Sequence, residues 1–248
     1  MTEEVRKKLE YVNKTLTKAE VYQHAATVLQ YDQETICPPK GMEEQGEVSA
    51  FMMNKAFALE KGKAYTEAIA FLHEHIKELD EFDRAMIDTE YRSYVRNKNI
   101  TPAMQHRFSL VYNKAFVDWV NAKQQADFSI FEESLKKVRE IELKKISLRE
   151  NAKKLPYDEL LDDYEQGMTS GDLDAYFGTC RERLVPLLQK IVSSKKRIRT
   201  DFLSRTVTEA QQKEMAQYLL KLIGFDFERG AFTTSEHPFT DGLARNDI

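Results

Sequence analysis

The sequence predicts an all-α, multi-helix protein with a short strand-like segment near its C-terminal end. Three observations carry that prediction. Apolar residues recur at helical spacing through almost all of the first 224 positions. Only 9 glycines and 6 prolines occur among 248 residues, too few for the tight turns of an all-β architecture. At Phe225 the pattern changes: Phe225-Asp226-Phe227 alternates before Gly230, as a short strand would. The chain therefore divides into a helical region, 1–224, and a region of different character, 225–248.

The elements follow in order. Val5, Leu9, Val12, Leu16, Val21, Ala25, Val28 and Leu29 line one face of a helix over about 3–31. Cys37-Pro38-Pro39-Lys40-Gly41 breaks it, because proline lacks a donor and restricts its predecessor. Helices are predicted over about 43–61 and 64–79, separated by Gly62, and another runs to about Lys98. Thr101-Pro102 opens the next, with threonine as the cap and proline in the first turn. That helix carries a stripe of Phe108, Val111, Tyr112, Ala115, Phe116, Trp119 and Val120, read as core, and breaks near Asp127. A helix over about 128–150 leads to a linker at Asn151–Pro156. A short helix over 157–165 ends at Gly167, and a long one runs from Ser170 to about Arg199. Thr206 and Glu209 have the spacing of a capping box for the last helix, which stops at Gly224.

Composition excludes several functions. The net charge of −4, with both signs interspersed, offers no field for nucleic acid or an anionic membrane. No apolar run approaches the ~20 residues that span a bilayer, and the first residues lack the apolar stretch of a secretory signal. Cys37 and Cys180 stand alone, without zinc or redox spacing. These features predict a cytoplasmic protein with neither nucleic-acid nor membrane partners.

Most motif-like stretches have a plain structural explanation. His73-Glu74-His75-Ile76-Lys77 begins like a His-Glu-x-x-His zinc helix but has Lys77 where the second histidine belongs. His73 and His75 would point about 200° apart, so a solvated helix face is expected. Lys195-Lys196-Arg197-Ile198-Arg199 is expected in the last turns of a helix, complementing its dipole. Asp32 and Glu34 lack an evident acid/base partner. Tyr157–Glu165 concentrates carboxylates without the alternating ligands of a calcium loop; Leu160, Leu161 and Tyr164 predict a packed helical face instead. His237-Pro238-Phe239 stands apart, because a residue before proline is held extended and its imidazole is aimed in one direction. The triplet reads either as a turn burying Phe239 or as a ligand contact.

Several of these stretches together resemble the carboxypeptidase Taq family of metallocarboxypeptidases. Tyr31-Asp32-Gln33-Glu34-Thr35 followed by Pro38-Pro39 is similar to the family's Trp-Asp-Gln-Glu-Thr…Met-Pro segment, with Tyr31 for Trp and Cys37 for Met. Asp127-Phe128-Ser129-Ile130-Phe131 with Leu135 looks like its Asn-(Asp)-Phe-x-x-Phe-x-x-x-Leu stretch. Tyr157-Asp158, Leu160 to Glu165 and Gly167-Met168 resemble another family segment. Gly224-Phe225-Asp226-Phe227, Gly230, Ser235 and His237-Pro238-Phe239 resemble the approach to its His-Pro-Phe motif.

The resemblance implies an almost wholly helical, neurolysin-like fold with a deep substrate groove, zinc-dependent release of single C-terminal residues from peptide substrates, and a homodimer. It implies substrate-binding roles for His237, Pro238 and Phe239. Asp247 would be the first residue of the family's Asp-x-Arg-x-Thr motif, a member of unknown role. The substrate-gripping arginine and the zinc helix would then lie downstream. The chain is accordingly expected to be a piece of a longer enzyme, with 1–224 forming a lid and groove wall and 225–248 beginning the catalytic region. It is expected to hold no catalytic residue, to bind no zinc itself and to be inactive alone. The rival expectation is a stand-alone helical protein-interaction module without catalysis.

Overall fold

α1 spans Glu3–Thr35, a rod of about 50 Å. The Thr2 hydroxyl accepts from the Val5 amide at its start, and Glu3 and Glu4 complement the helix dipole there. The helix outlasts its predicted end by four residues, because the proline pair blocks continuation only beyond the Ile36 cap. α2 (Met42–Glu60), α3 (Lys63–Glu74), a 3₁₀ turn at Ile76–Glu78, α4 (Glu81–Asn97), α5 (Pro102–Gln125) and α6 (Ser129–Ser147) follow. α7 (Pro156–Tyr164), α8 (Ser170–Val192), a 3₁₀ turn at Asp201–Ser204 and α9 (Glu209–Leu222) complete the helices. The structure, a computed structural model, describes residues 1–150, 155–243 and 246–247. Most of the Asn151–Pro156 linker thus lies outside the described residues. Among the described residues the architecture is all-α, as predicted.

The chain forms two compact units, Met1–Ala152 with Phe232–Ile248, and Lys153–Ala231. In the first, α1 packs on α2 and α3, α2 on α5, α5 on α6, and α3 on α4. One core cluster joins Val5, Leu9 and Val12 of α1 to Tyr65, Ala68, Ile69 and Leu72 of α3 and Ile87 of α4. A second joins Ile100, Phe108 and Ile141, flanked by Phe57, Met104 and Val111. Where α1 meets α2, both helices bury small residues, Ala19 and Ala26 on the first and Ser49 and Ala50 on the second. Ser49 Oγ donates to the Ala26 carbonyl there at 3.3 Å.

α5 begins as predicted, the Thr101 hydroxyl accepting from the Met104 amide at 3.2 Å. It ends on Ala126 in the left-handed region, φ 52° and ψ 35°, a conformation that crowds a Cβ. Ala126→Gly should therefore stabilise the protein by about 1 kcal/mol, read as a higher urea midpoint at unchanged slope. A lower midpoint would contradict the assigned conformation.

Four local expectations are corrected. Phe225-Asp226-Phe227 leads into a turn at 227–229 rather than forming a strand, because Asp226 caps that turn: its carboxylate accepts from the Glu228 amide at 2.9 Å and its carbonyl from Arg229 at 3.0 Å. α8 stops at Val192, well before Arg199. Ser193 and Ser194 close it in a tight turn, the Ser194 amide donating to the Ile191 carbonyl. Lys195–Arg199 thus lies outside the helix, and Arg199 instead forks onto Asp201 at 2.5 and 2.9 Å. The last capping box pairs Thr208 with Gln211, not Thr206 with Glu209, which leaves Glu209 in the first turn beside the positive helix end. On α7 the apolar face is not what is buried. Asp158 and Glu159 are 7% and 8% exposed while Tyr164 is 88% exposed. These acids organise the α7–α8 corner: Asp158 accepts from the Ser170 amide at 2.8 Å, and Asp162 from the Gly167 amide at 2.7 Å.

Candidate functional site

Residues 232–243 return to the first compact unit as a strap over α1 and α5. Ser235 Oγ donates to the His237 carbonyl at 2.7 Å, closing a bend at 236–237, and the following Pro238 restricts the His237 backbone. The His237 ring meets Trp119 of α5 edge-on, with centroids 6.2 Å apart and planes at 84°. Two residues on, Phe239 meets Tyr31 of α1 at 6.2 Å and 79°. Such edge-to-face pairs contribute about 0.5–1.5 kcal/mol each beyond their burial.

Polar contacts anchor both ends of the strap. Lys123 Nζ donates to the Glu236 carbonyl and lies 3.4 Å from its carboxylate, while Gln124 Nε2 donates to the same carboxylate at 3.3 Å. His24 Nδ1 lies 2.6 Å from the Leu243 carbonyl. The Leu243 amide in turn donates to the Asp247 carbonyl at 2.8 Å. The main chain of Asp247 thus steadies the end of the strap, and Ile248 lies outside the described residues. Phe239 remains 39% exposed, which discards the reading of a turn that buries it. No hydrogen-bond partner meets the His237 imidazole among the described residues.

The structure brings two resembling segments together through Tyr31 and Phe239. Among the remaining polar residues of 31–35, Asp32 and Gln33 tie α1 to α2, while Glu34 bonds within α1. Asp32 accepts from Gln45 of α2 at 2.9 Å, Glu34 accepts from Gln30, and buried Gln33 donates to the Met42 carbonyl at 2.8 Å. Burial, and then the Asp32 carboxylate, push the Cys37 thiol up. His73 and His75 are half-buried rather than solvated. His73 stacks on Tyr91 at 3.7 Å, and His75 stacks on Phe71 and bonds its carbonyl at 2.9 Å.

Sequence reasoning missed His24, Lys123 and Gln124 and placed Trp119 in the core. Phe108, Ala115 and Val120 are buried as expected, but Trp119 is only half-buried and forms the floor beneath His237. The available signal was the spacing of Trp119 and Lys123, four apart and so on one helix face.

No group of three or more His, Cys, Asp and Glu side chains is placed to hold a metal ion among the described residues. The described residues therefore do not fit a catalytic metal.

A family model, Carboxypeptidase Taq (M32) metallopeptidase, matches residues 11–248. Carboxypeptidase 1 of Bacillus subtilis (strain 168) is 29% identical over 227 residues, which cover 92% of this chain and 45% of the relative. Thermostable carboxypeptidase 1 of Pyrococcus furiosus is 29% identical over 243 residues, covering 91% and 45%. The solved structure described as BsuCP superposes with a TM-score of 0.91 at 27% identity, covering 97% of this chain and 48% of that one. The chain thus spans about half the length of the curated relatives it matches. With a matching family model across nearly its whole length, the chain belongs to the Carboxypeptidase Taq (M32) metallopeptidase family.

Proposed function

We propose that this chain supplies one wall of the peptide groove of a zinc-dependent metallocarboxypeptidase that releases single C-terminal residues. Region 1–224 serves as lid and wall, 225–248 begins the catalytic region, and His237, Pro238 and Phe239 contact the peptide. Asp247 belongs to the same edge as a motif member. One observation carries the reading: the His237 imidazole is exposed, aimed by its neighbours, and has no hydrogen-bond partner among the described residues. An imidazole so held can donate to a peptide carbonyl or accept from a peptide amide.

In the full-length enzyme zinc would supply the activated water. The donors described here do not form a ligand set for it, so the polypeptide by itself is inactive in this reading. A cytoplasmic homodimer is the proposed setting, supported by two unpaired cysteines and by the family. Among the described residues, no helix is long and apolar enough to cross a membrane.

Two measurements test this. Blocked dipeptides incubated with the purified polypeptide and added zinc should release no C-terminal residue, and turnover that survives exhaustive purification would contradict the assignment. In calorimetric titration, His237→Ala should weaken binding of a blocked dipeptide about fivefold, the loss of one hydrogen bond. Unchanged affinity would remove His237 from the groove.

A further inference from the structure

We infer that Trp119 and Lys123 are positioning residues that together set the direction of the His237 imidazole. The inference deepens the reading of His237 as a peptide contact and rests on it for its functional meaning. The two side chains are four apart on α5 and share a face. Lys123 lies along the indole, its ammonium 5.2 Å from the Trp119 ring centre, within cation–π range. The same ammonium binds the Glu236 carbonyl and faces its carboxylate at 3.4 Å. His237, the next residue, sets its ring against that same indole.

These contacts close a small cycle: Trp119 to Lys123, Lys123 to Glu236, Glu236 through one peptide bond to His237, and His237 back to Trp119. The backbone of His237 is restricted on its other side by Pro238. Position and ring plane of the imidazole are therefore both restrained, while its nitrogens stay open among the described residues. A surface ion pair of this exposure adds little to folding stability, so its consequence is geometric. Removing the Lys123 charge should release Glu236 and let the ring leave the indole face while the helices stay folded.

The test is carbon–proton NMR of the isotope-labelled 248-residue chain. It follows the His237 Cε1–Hε1 resonance, identified by its loss in His237→Gln. In Lys123→Met that resonance should move towards the position of free histidine, Lys123→Arg should restore it, and the melting temperature should stay close to that of the wild type. Trp119→Leu should move it in the same sense, through loss of the indole ring current. Affinity for a blocked dipeptide should fall about fivefold in Lys123→Met and recover in Lys123→Arg. A resonance unmoved by Lys123→Met would overturn the inference, as would an equal displacement in Lys123→Arg. Should Lys123→Met fail to fold, Lys123→Gln removes the same charge with a polar side chain and is read by the same criteria. A wild-type His237 resonance that ignores the dipeptide would defeat the peptide-contact reading alone, because the variant shifts measure positioning without any ligand.

Discussion

Gly46→Val should lower stability by about 3 kcal/mol, the cost of overpacking a closed contact and breaking its hydrogen bonds. Gly46 lies buried on α2 where α1 and α5 both approach. A Cβ placed there would lie 3.1 Å from Asn113 Cβ and 3.1 Å from Gln33 Nε2. Neither neighbour is free to retreat. Asn113 donates to the Gly46 carbonyl at 2.5 Å, and Gln33 donates to the Met42 carbonyl at 2.8 Å. Valine adds two further carbons to that crowd. The melting temperature should fall by roughly 6–12 °C; a melt within a degree of the wild type would show that the three helices do not meet as described. The consequence reaches the candidate site, because α1 carries Tyr31 and α5 carries Trp119, and α2 is wedged between them at this glycine.

Glu60→Gln should stabilise the protein above neutral pH and leave it nearly unchanged in acid. Burial, and then the Glu90 carboxylate, push the Glu60 carboxyl up from 4.5 to about 7. Tyr65 adds no positive charge to offset them; its hydroxyl donates to Glu90 at 2.7 Å. Gln23 Nε2 donates to Glu60 at 3.2 Å, a bond that an amide oxygen at position 60 would keep. A carboxyl whose affinity for protons rises on folding favours the folded state below its unfolded pKa. That advantage is lost as pH climbs from about 4.5 through 7. At full effect the difference is about 3 kcal/mol, and partial exposure screens it to about 1–2 kcal/mol. Urea midpoints of both proteins should therefore coincide near pH 4.5 and separate by pH 8, with the glutamine variant higher. A gap that is constant across this range would mean Glu60 is not the titrating group.

Helix order was legible wherever a residue performed one unambiguous local task. Thr101-Pro102 could only open a helix, and Gly224, at φ 77°, could only close one. Reading failed where two local solutions competed. Thr206 and Thr208 both precede a capping partner by three residues, and the sequence does not say which hydroxyl meets the first amide. Phe225 and Phe227 alternate like a strand, yet Asp226 between them satisfies the backbone of a turn. On α7 the spacing of Leu160, Leu161 and Tyr164 predicted the buried face, and nothing nearby in sequence shows that Asp158 and Asp162 receive the amides of the following corner.

The candidate site was half legible for a related reason. Pro238 announces a stiff, directed His237 from sequence alone. The groups that receive it lie on other elements, with Lys123 and Glu236 separated by 113 positions and His24 and Leu243 by 219. Spacing tells which residues of a helix share a face but not which distant segment that face will meet. Trp119, sitting in an aromatic stripe, read as core although Lys123 follows it four residues on along the same helix face.

The separation of strap and floor also sets a schedule for biosynthesis. A ribosome adding 5–20 residues per second needs roughly 5–25 s to travel from Lys123 to Glu236. Through that interval the nascent α1 and α5 present Tyr31 and the Trp119 indole uncapped, open to chaperones or to neighbouring chains on the same message. Pauses between those codons would prolong the risk, and faster decoding there would shorten it.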